Sequence, residues 1–432
     1  MKRYFFPVFL LLLTTQLVLG QALLTADEAV KLVLKNNYDI LIAGTATDIS
    51  KANNTAGNAG MMPGIGLKAG DSYSMYNSTT NLTAGGTATY PDSRTNSFAA
   101  AAELSWTLFD GGKMFITKKK LNELEALGEL NFRDKVSQTV YNTILAYYDV
   151  VRQKQQLSSI REAIHYNEER VKILQASFNA GLVPKTDLLQ AQVDLNVYLE
   201  NAILQETVIL DSKRSLNQLL SRDADTPYEV LDSIDLDYHP DRKALNEKLY
   251  KQNTQVLSSA KQLDVSKLTT REISAQRYPW LSFSADYNYL QNNYTAGTNS
   301  LTRNYGPVLG GSLTLPIYDG HRIHRLVKIS KLEQQAASYD LENTRLQANT
   351  DLQNALSAYE RVLQLLNLEK SNLILAKENL DITMRRLQLG QTTSLEVRQA
   401  EESYIQSLTR QILFKYSAKS LETKLRQLVS EL

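Results

Sequence analysis

The chain of 432 residues contains no cysteine, which excludes disulfides, thiolate metal sites and a lipid-modified N-terminal Cys. Its charge is balanced, 47 basic residues against 46 acidic ones, so no nucleic-acid surface is expected. Beyond the N-terminus no stretch approaches the roughly 18 apolar residues that a membrane-crossing helix needs. Histidine is scarce, with His165, His239, His321 and His324 the only four. His321 and His324 stand i,i+3 at a helix start, a spacing that suits a metal. No Cys or HExxH motif accompanies them, so a solvated helix start is the better reading. There is no Ser/His/Asp arrangement, Walker loop or strand-borne GxGxxG. Met61, Met62, Met75, Met114 and Met384 are scattered rather than serial. Neither an enzyme nor a metal or cofactor protein is expected.

What the chain does contain is a duplication. Leu108-Phe109-Asp110-Gly111-Gly112 recurs 209 residues later as Ile317-Tyr318-Asp319-Gly320-His321. Ala180-Gly181-Leu182 and Asp187-Leu188-Leu189-Gln190-Ala191 recur as Leu389-Gly390-Gln391 and Glu396-Val397-Arg398-Gln399-Ala400. Between these landmarks Val150, Leu157, Ile164, Val171 and Phe178 fall on Tyr359, Leu366, Leu373, Leu380 and Leu387 at the same offset.

The N-terminus reads as a secretory signal over residues 1–20. Lys2 and Arg3 precede a short apolar run from Tyr4 to Leu19 that carries Pro7, and the mature chain is expected to start near Gln21, with Ala22 as an alternative.

From Lys113 to Phe178 there is no Pro and a single glycine, Gly128, and leucine-like residues repeat every seven positions. That period is a coiled-coil seam. The same holds from His321 to Leu387, and each helix is expected to run about 100 Å at 1.5 Å per residue. Each meets a glycine, Gly181 or Gly390, and returns as an antiparallel partner, about Lys185–Leu220 and Ser394–Leu428. A shorter helix opens each half: one from the capping box Thr25-Ala26-Asp27-Glu28 to about Asn53, the other from about Asp241 to Ala275. Asn37 matches Asn253.

Between short and long helices, apolar and polar residues alternate as in strands. Leu281, Phe283, Ala285, Tyr287 and Tyr289 form one such series, and Leu309, Gly311, Leu313, Leu315 and Ile317 another. Ile65, Leu67, Ala69 and Tyr73 form a third, and Phe98, Ala100, Ala102, Leu104, Trp106 and Leu108 a fourth. Polar loops, Asn77–Ser93 and Gln291–Asn304, join each pair. The pattern fits transmembrane barrel strands and equally a soluble sheet with one dry face. Four strands cannot close a membrane barrel, whose smallest form has about eight, and an open edge in lipid is untenable. A membrane barrel must therefore be shared among chains.

These features resemble the TolC-like outer-membrane efflux protein family over essentially the whole mature length. The resemblance is carried by Leu24-Thr25-Ala26-Asp27-Glu28-Ala29 with Asn36-Asn37, and by Tyr278-Pro279-Trp280-Leu281. The Leu-Phe-Asp-Gly-Gly motif carries it too, as do Phe178-x-x-Gly181-Leu182-Val183-Pro184-x-x-Asp187-Leu188-Leu189-x-Ala191 and its copy. It implies a mainly α fold with a transmembrane β part: a homotrimer whose four strands per chain make a twelve-stranded barrel continued by an α-helical tunnel. Strands are expected at about 63–109 and 279–317, tunnel helices at about 113–220 and 321–428, and an equatorial segment at about 221–240. The two repeats then cover about 21–220 and 241–432 of one mature unit, 21–432. The implied function is a passive exit duct in the bacterial outer membrane, extending into the periplasm. It would carry substrates for an inner-membrane pump with a periplasmic adaptor. An exported structural coiled-coil protein without transport is the alternative.

The resemblance also implies sites. Hairpin tips at Ala180, Gly181, Leu182 and at Leu389, Gly390, Gln391 would dock the adaptor. Thr186, Asp187 and Glu396 would line a periplasmic gate. Here the family's second entrance acid is Gln399, and the Tyr and Arg that latch some members shut are Leu387 and Thr392. A closed state would therefore lean on packing and other polar contacts. The bland reading of Glu396 is a helix cap, since Thr393-Ser394-Leu395-Glu396 has the form of a capping box.

Overall fold

Two matching asparagines break what the sequence suggested were single helices. The computed structural model describes residues 23–83 and 85–432; the signal segment and its cleavage point lie outside the described residues. After a two-residue strand β1 (Leu23–Leu24), the chain forms α1 (Ala26–Asn36) and α2 (Tyr38–Asn53). The break falls at Asn37, whose Oδ1 accepts from the amides of Asp39 (2.9 Å) and Ile40 (3.3 Å). In the second half α5 (Arg242–Gln252) gives way to α6 (Thr254–Ala275) at Asn253, whose Oδ1 caps the amide of Val256 at 3.0 Å. Asn competes with helical backbone bonding and therefore favours such caps over helix interiors. The Thr25 capping box is formed in both directions, Thr25 N–H to Glu28 at 2.9 Å and Glu28 N–H to Thr25 Oγ1 at 3.2 Å. Those bonds hold the Glu28 carboxyl below its usual range.

The remaining elements are β2 (Gly64–Asn81), β3 (Thr87–Asp110), α3 (Lys113–Asn179), α4 (Lys185–Leu219), β4 (Glu229–Val230), β5 (Trp280–Tyr294), β6 (Leu301–Thr314), α7 (Arg322–Gln388) and α8 (Ser394–Leu428). α3 and α7 are 67 residues each and start 209 positions apart. Their starts are capped alike: Asp110 Oδ1 accepts from Met114 N–H at 3.0 Å, and Asp319 Oδ2 from Ile323 N–H at 2.9 Å. The Asp of the repeated motif thus occupies free amides of a helix start.

The chain divides into two compact units, each drawing on both repeats. One comprises residues up to Ile40 with Val136–Leu245 and Leu352–Leu432; the other comprises Leu41–Lys135 and Asn246–Asp351.

The second unit contains an antiparallel four-stranded sheet in the order β2-β3-β5-β6. Its register puts Ile65, Leu104, Ala285 and Leu309 in one row, and Leu67, Ala102, Tyr287 and Pro307 in another. Within the paired ladder the four expected alternations meet on one face, because side chains directly opposite share a face; at the shift between Thr107 and Phe109 it is Phe109, not Leu108, that pairs with Leu281. The other face carries Gly66, Glu103, Asp286 and Gly70, Ala99, Leu290, Asn304, with Lys68 ion-paired to Glu103. Aromatic residues border the apolar face: Trp106 and Phe283 pair near one end, and Phe98, Tyr289 and Tyr305 lie toward the other. Phe98 and Tyr289 meet edge to face at 6.2 Å.

Two expectations need correction. The expected loops are mostly strand: pairing persists to Asn81↔Thr87 and Asn293↔Leu301. Thr, Ser and Tyr favour a pleated ladder even where no apolar alternation advertises it. β6 stops at Thr314, so Leu315 and Ile317 lie outside the strand. Pro316 lacks the N–H a ladder needs, whereas β3, with Thr107 at the matching position, continues to Asp110. Among the described residues, no helix is long and apolar enough to cross a membrane.

Candidate functional site

The first unit holds the hairpins, and their tips are built identically. Gly181 (φ 73°) and Gly390 (φ 70°) both take the left-handed conformation. Leu182 N–H reaches Ser177 C=O at 2.9 Å and Gly181 N–H reaches Phe178 C=O at 2.9 Å. In the copy, Gln391 N–H reaches Arg386 C=O at 2.9 Å and Gly390 N–H reaches Leu387 C=O at 3.0 Å. This paired pattern is a Schellman motif, in which glycine ends the helix without a Cβ clash. Ala180, Gly181 and Leu182 are exposed, as are Leu389, Gly390 and Gln391.

The return helices differ. α4 starts after Pro184 with no side-chain cap, and Asp187 stands half-buried in its first turn beside exposed Thr186. α8 starts after Thr393, whose hydroxyl accepts from Glu396 N–H at 3.3 Å. The reciprocal half of that capping box does not form, because the Glu396 carboxylate accepts instead from the Thr392 hydroxyl. Glu396 and Gln399 are exposed. Leu387 is only 5% exposed, in an apolar cluster with Leu174, Leu188, Met384, Val397 and Tyr404. Leu387 is thus a packed core side chain.

Above the tips α3 is bound to α4 and to α8. Asp149 accepts from Ser212 at 3.1 Å, and Gln205 donates to Gln153 at 2.8 Å. On the α8 side Tyr404 donates to Glu162 at 2.7 Å, and Gln427 donates to Gln138 at 2.8 Å. α8 is tied to α7 through Glu369, which accepts from Arg410 (3.0 Å) and from Ser407. Burial pushes the Glu369 carboxyl up, but the hydrogen bonds from Arg410 and Ser407 outweigh it and hold it below its usual range. Near the tips Tyr166 also reaches Asp381 of α7 at 3.4 Å. α3 and α8 are therefore the inner helices of this unit. The outer ones keep apolar stripes in solvent: Leu189, Val193, Val197 and Leu204 on α4, and Leu368, Leu375 and Ile382, seven apart, on α7.

Sequence reasoning missed a polar cluster among these helices. Arg170 of α3 and Glu401 of α8 are each 1% exposed. Arg170 Nη2 donates to Asn167 Oδ1 and to Asp194 Oδ2 of α4, both at 2.7 Å, and Asn167 donates to Glu401. No signal pointed here, because none of the four residues is matched in kind by its counterpart in the other repeat: Ala376, Asn379, Ser403 and Gln192.

His321 and His324, at the start of α7, stack edge to face at 6.5 Å. Among the described residues no group of three or more His, Cys, Asp or Glu is placed to hold a metal ion.

With this geometry in view, the relatives are informative. Residues 29–222 and 245–431 match the family model described as outer membrane efflux protein. The outer membrane protein TolC of Vibrio cholerae is 24% identical over 262 residues, 59% of this chain and 59% of the relative. TolC of Escherichia coli K12 is 22% identical over 322 residues, 71% of this chain and 64% of the relative. The chain thus spans less than two thirds of either curated relative. The crystal structure of the Campylobacter jejuni CmeC outer membrane channel superposes with a TM-score of 0.78 at 19% identity, covering 94% of this chain and 85% of that one. Both halves of the duplication fall within the family match: this chain belongs to the outer membrane efflux protein family, and is an outer-membrane protein rather than an enzyme.

Proposed function

We propose that the chain is one of three copies forming a passive exit duct, which conducts substrates from an inner-membrane pump and a periplasmic adaptor across the periplasm and outer membrane. The observation that carries this reading is the sheet with two open edges. β2 and β6 each have a partner on one side only, and the apolar face suits lipid. An unpaired edge in hydrocarbon costs several kcal/mol per unsatisfied group. Pairing β6 of one copy with β2 of the next removes every edge at once. The exposed stripes on α4 and α7 give the helical unit the same need. Three copies, rather than two or four, follow from the resemblance of the mature length to TolC-like proteins, as does the equatorial role of 221–240, while the signal at 1–20 is read from Lys2, Arg3 and the apolar run that follows them.

On this reading the barrel strands lie within 63–109 and 279–317, and the tunnel helices within 113–220 and 321–428. The tips at Gly181 and Gly390 dock the adaptor, and Glu396 contributes one acid per copy to the periplasmic entrance. The pump selects the cargo. Mass measurement of detergent-extracted protein, with migration before and after heating on a denaturing gel, tests the reading. A trimer that dissociates on heating is expected; a stable membrane-inserted monomer overturns it.

A further inference from the structure

The Arg170 cluster has features that packing alone does not require. Arg170 Nη2 serves two acceptors, yet Nε and Nη1 of the same buried guanidinium have no hydrogen-bond partner. Glu401 Oε2 stands 3.6 Å from Nη1, near enough for attraction and too far for a hydrogen bond. The bridge from α3 to α8 is thus half made, while the bridge from α3 to α4 is complete. Gln190 steadies the α4 end by donating to Asp194 Oδ1 at 2.8 Å, and the Ala163 carbonyl steadies Asn167 at 2.8 Å. Arg170 lies one to two helical turns from the apolar cluster that holds Leu387 and Met384, and eleven residues before Gly181.

We propose that Arg170 clamps the first hairpin to α8 just above the tips, and that Glu401 makes this clamp proton-dependent: neutral Glu401 holds the hairpins packed, and its ionisation favours their separation and opening of the duct. The inference rests on the duct reading for its consequence, while the clamp itself rests on the geometry. The groups acting on Glu401 are Arg170 of α3, Asp194 and Tyr198 of α4, and Glu402 of its own helix. Burial pushes its carboxyl up to about 7, against the downward pull of Arg170 and the Asn167 hydrogen bond.

The direction follows from linkage. A carboxyl at about 7 in the packed arrangement and near 4.5 when hydrated binds its proton more tightly in the packed one. Packing is therefore fully favoured below about pH 4.5. It is progressively lost between there and about pH 7, by at most about tenfold per pH unit, and changes little above.

The test is single-channel recording of the purified full-length protein in planar bilayers from pH 4.5 to 8, comparing wild type with Glu401→Gln. Glu401→Gln keeps the shape and the Asn167 contact but cannot ionise. Wild type should open more often as pH rises to about 7 and then level off, and the variant should stay at its acid-side open probability throughout. Heat-modifiable migration on a gel confirms that the variant assembles; the pH profile of thermal unfolding in detergent, flattened by the variant, reads the clamp without transport. A variant that keeps the wild-type pH profile in both measurements overturns the clamp. Absence of any conducting channel at every pH, with the thermal profile still flattened, overturns the duct reading and leaves the clamp standing.

Discussion

His321 holds the left-handed backbone (φ 60°) that Gly112, its counterpart 209 residues earlier, holds at φ 83°. Each follows a left-handed glycine, Gly320 or Gly111, so two successive left-handed residues lead into each long helix. Only one copy spends two glycines on the turn. A Cβ in this region costs about 1–2 kcal/mol, less for His or Asn than for branched side chains. The His321 ring also packs edge to face on Tyr318 at 5.7 Å. His321→Asn and His321→Gly should therefore be neutral or stabilising by up to about 1 kcal/mol, and His321→Val should lose about 1–2 kcal/mol. Denaturant midpoints of the detergent-solubilised protein give the order; Val matching His would remove the strain argument.

Gly111 and Gly112 separate conformation from space. Both have positive φ, but a Cβ on Gly112 meets nothing within 4 Å, whereas one on Gly111 would lie 2.6 Å from the Ala275 carbonyl oxygen and 2.7 Å from Tyr278 Cβ. Gly112→Ala should cost about 1 kcal/mol from backbone conformation alone. Gly111→Ala must also push the end of α6 off the turn, and should cost roughly 3 kcal/mol or more. Equal losses in unfolding experiments would show that the contact yields freely.

Much of this was legible in the sequence because duplication and period are one-dimensional. The constant offset located the long helices and both tips, and strict alternation located the apolar sheet face. What escaped depended on single side chains meeting across the fold. Asn37 and Asn253 matched in sequence, but only their amide acceptors reveal them as helix breaks. Pro316 ends β6 early by removing a ladder donor. The Arg170–Asp194–Glu401 cluster joins positions 24 and 231 residues apart, with no periodic signal to announce it. At the tips, the acid of the apparent capping box turned to Thr392, a choice between two neighbouring donors that spacing does not determine.

Substitution at the tips should distinguish turn from docking surface. Gly181→Ala or Gly390→Ala should cost about 1 kcal/mol, because the left-handed turn disfavours any Cβ, and should leave export intact. Gly181→Glu or Gly390→Glu carries a similar backbone cost and adds a charge to the exposed tip, the surface proposed to dock the adaptor. It should leave the trimer folded and abolish export. Both are read by heat-modifiable migration and a cargo-export assay in cells lacking the native gene. Export surviving both Glu variants would make these glycines turn residues only.

Glu396 offers the most direct measurement of the entrance. Its carboxylate sits in the first turn of α8, where an acid suits the helix dipole, and accepts from the Thr392 hydroxyl while its amide is capped by Thr393. These contacts account for it as a cap, yet it remains exposed, and threefold repetition would place three such acids at one level of the duct. With Gln399 in place of a second acid, the ring would carry half the charge of a two-acid entrance, and block by divalent or trivalent cations should be correspondingly weak. Glu396→Gln keeps the side-chain shape and a polar partner for Thr392, so stability should fall by no more than about 1 kcal/mol. Block should weaken severalfold in single-channel recordings. Unchanged block with only the stability loss would confine Glu396 to capping α8.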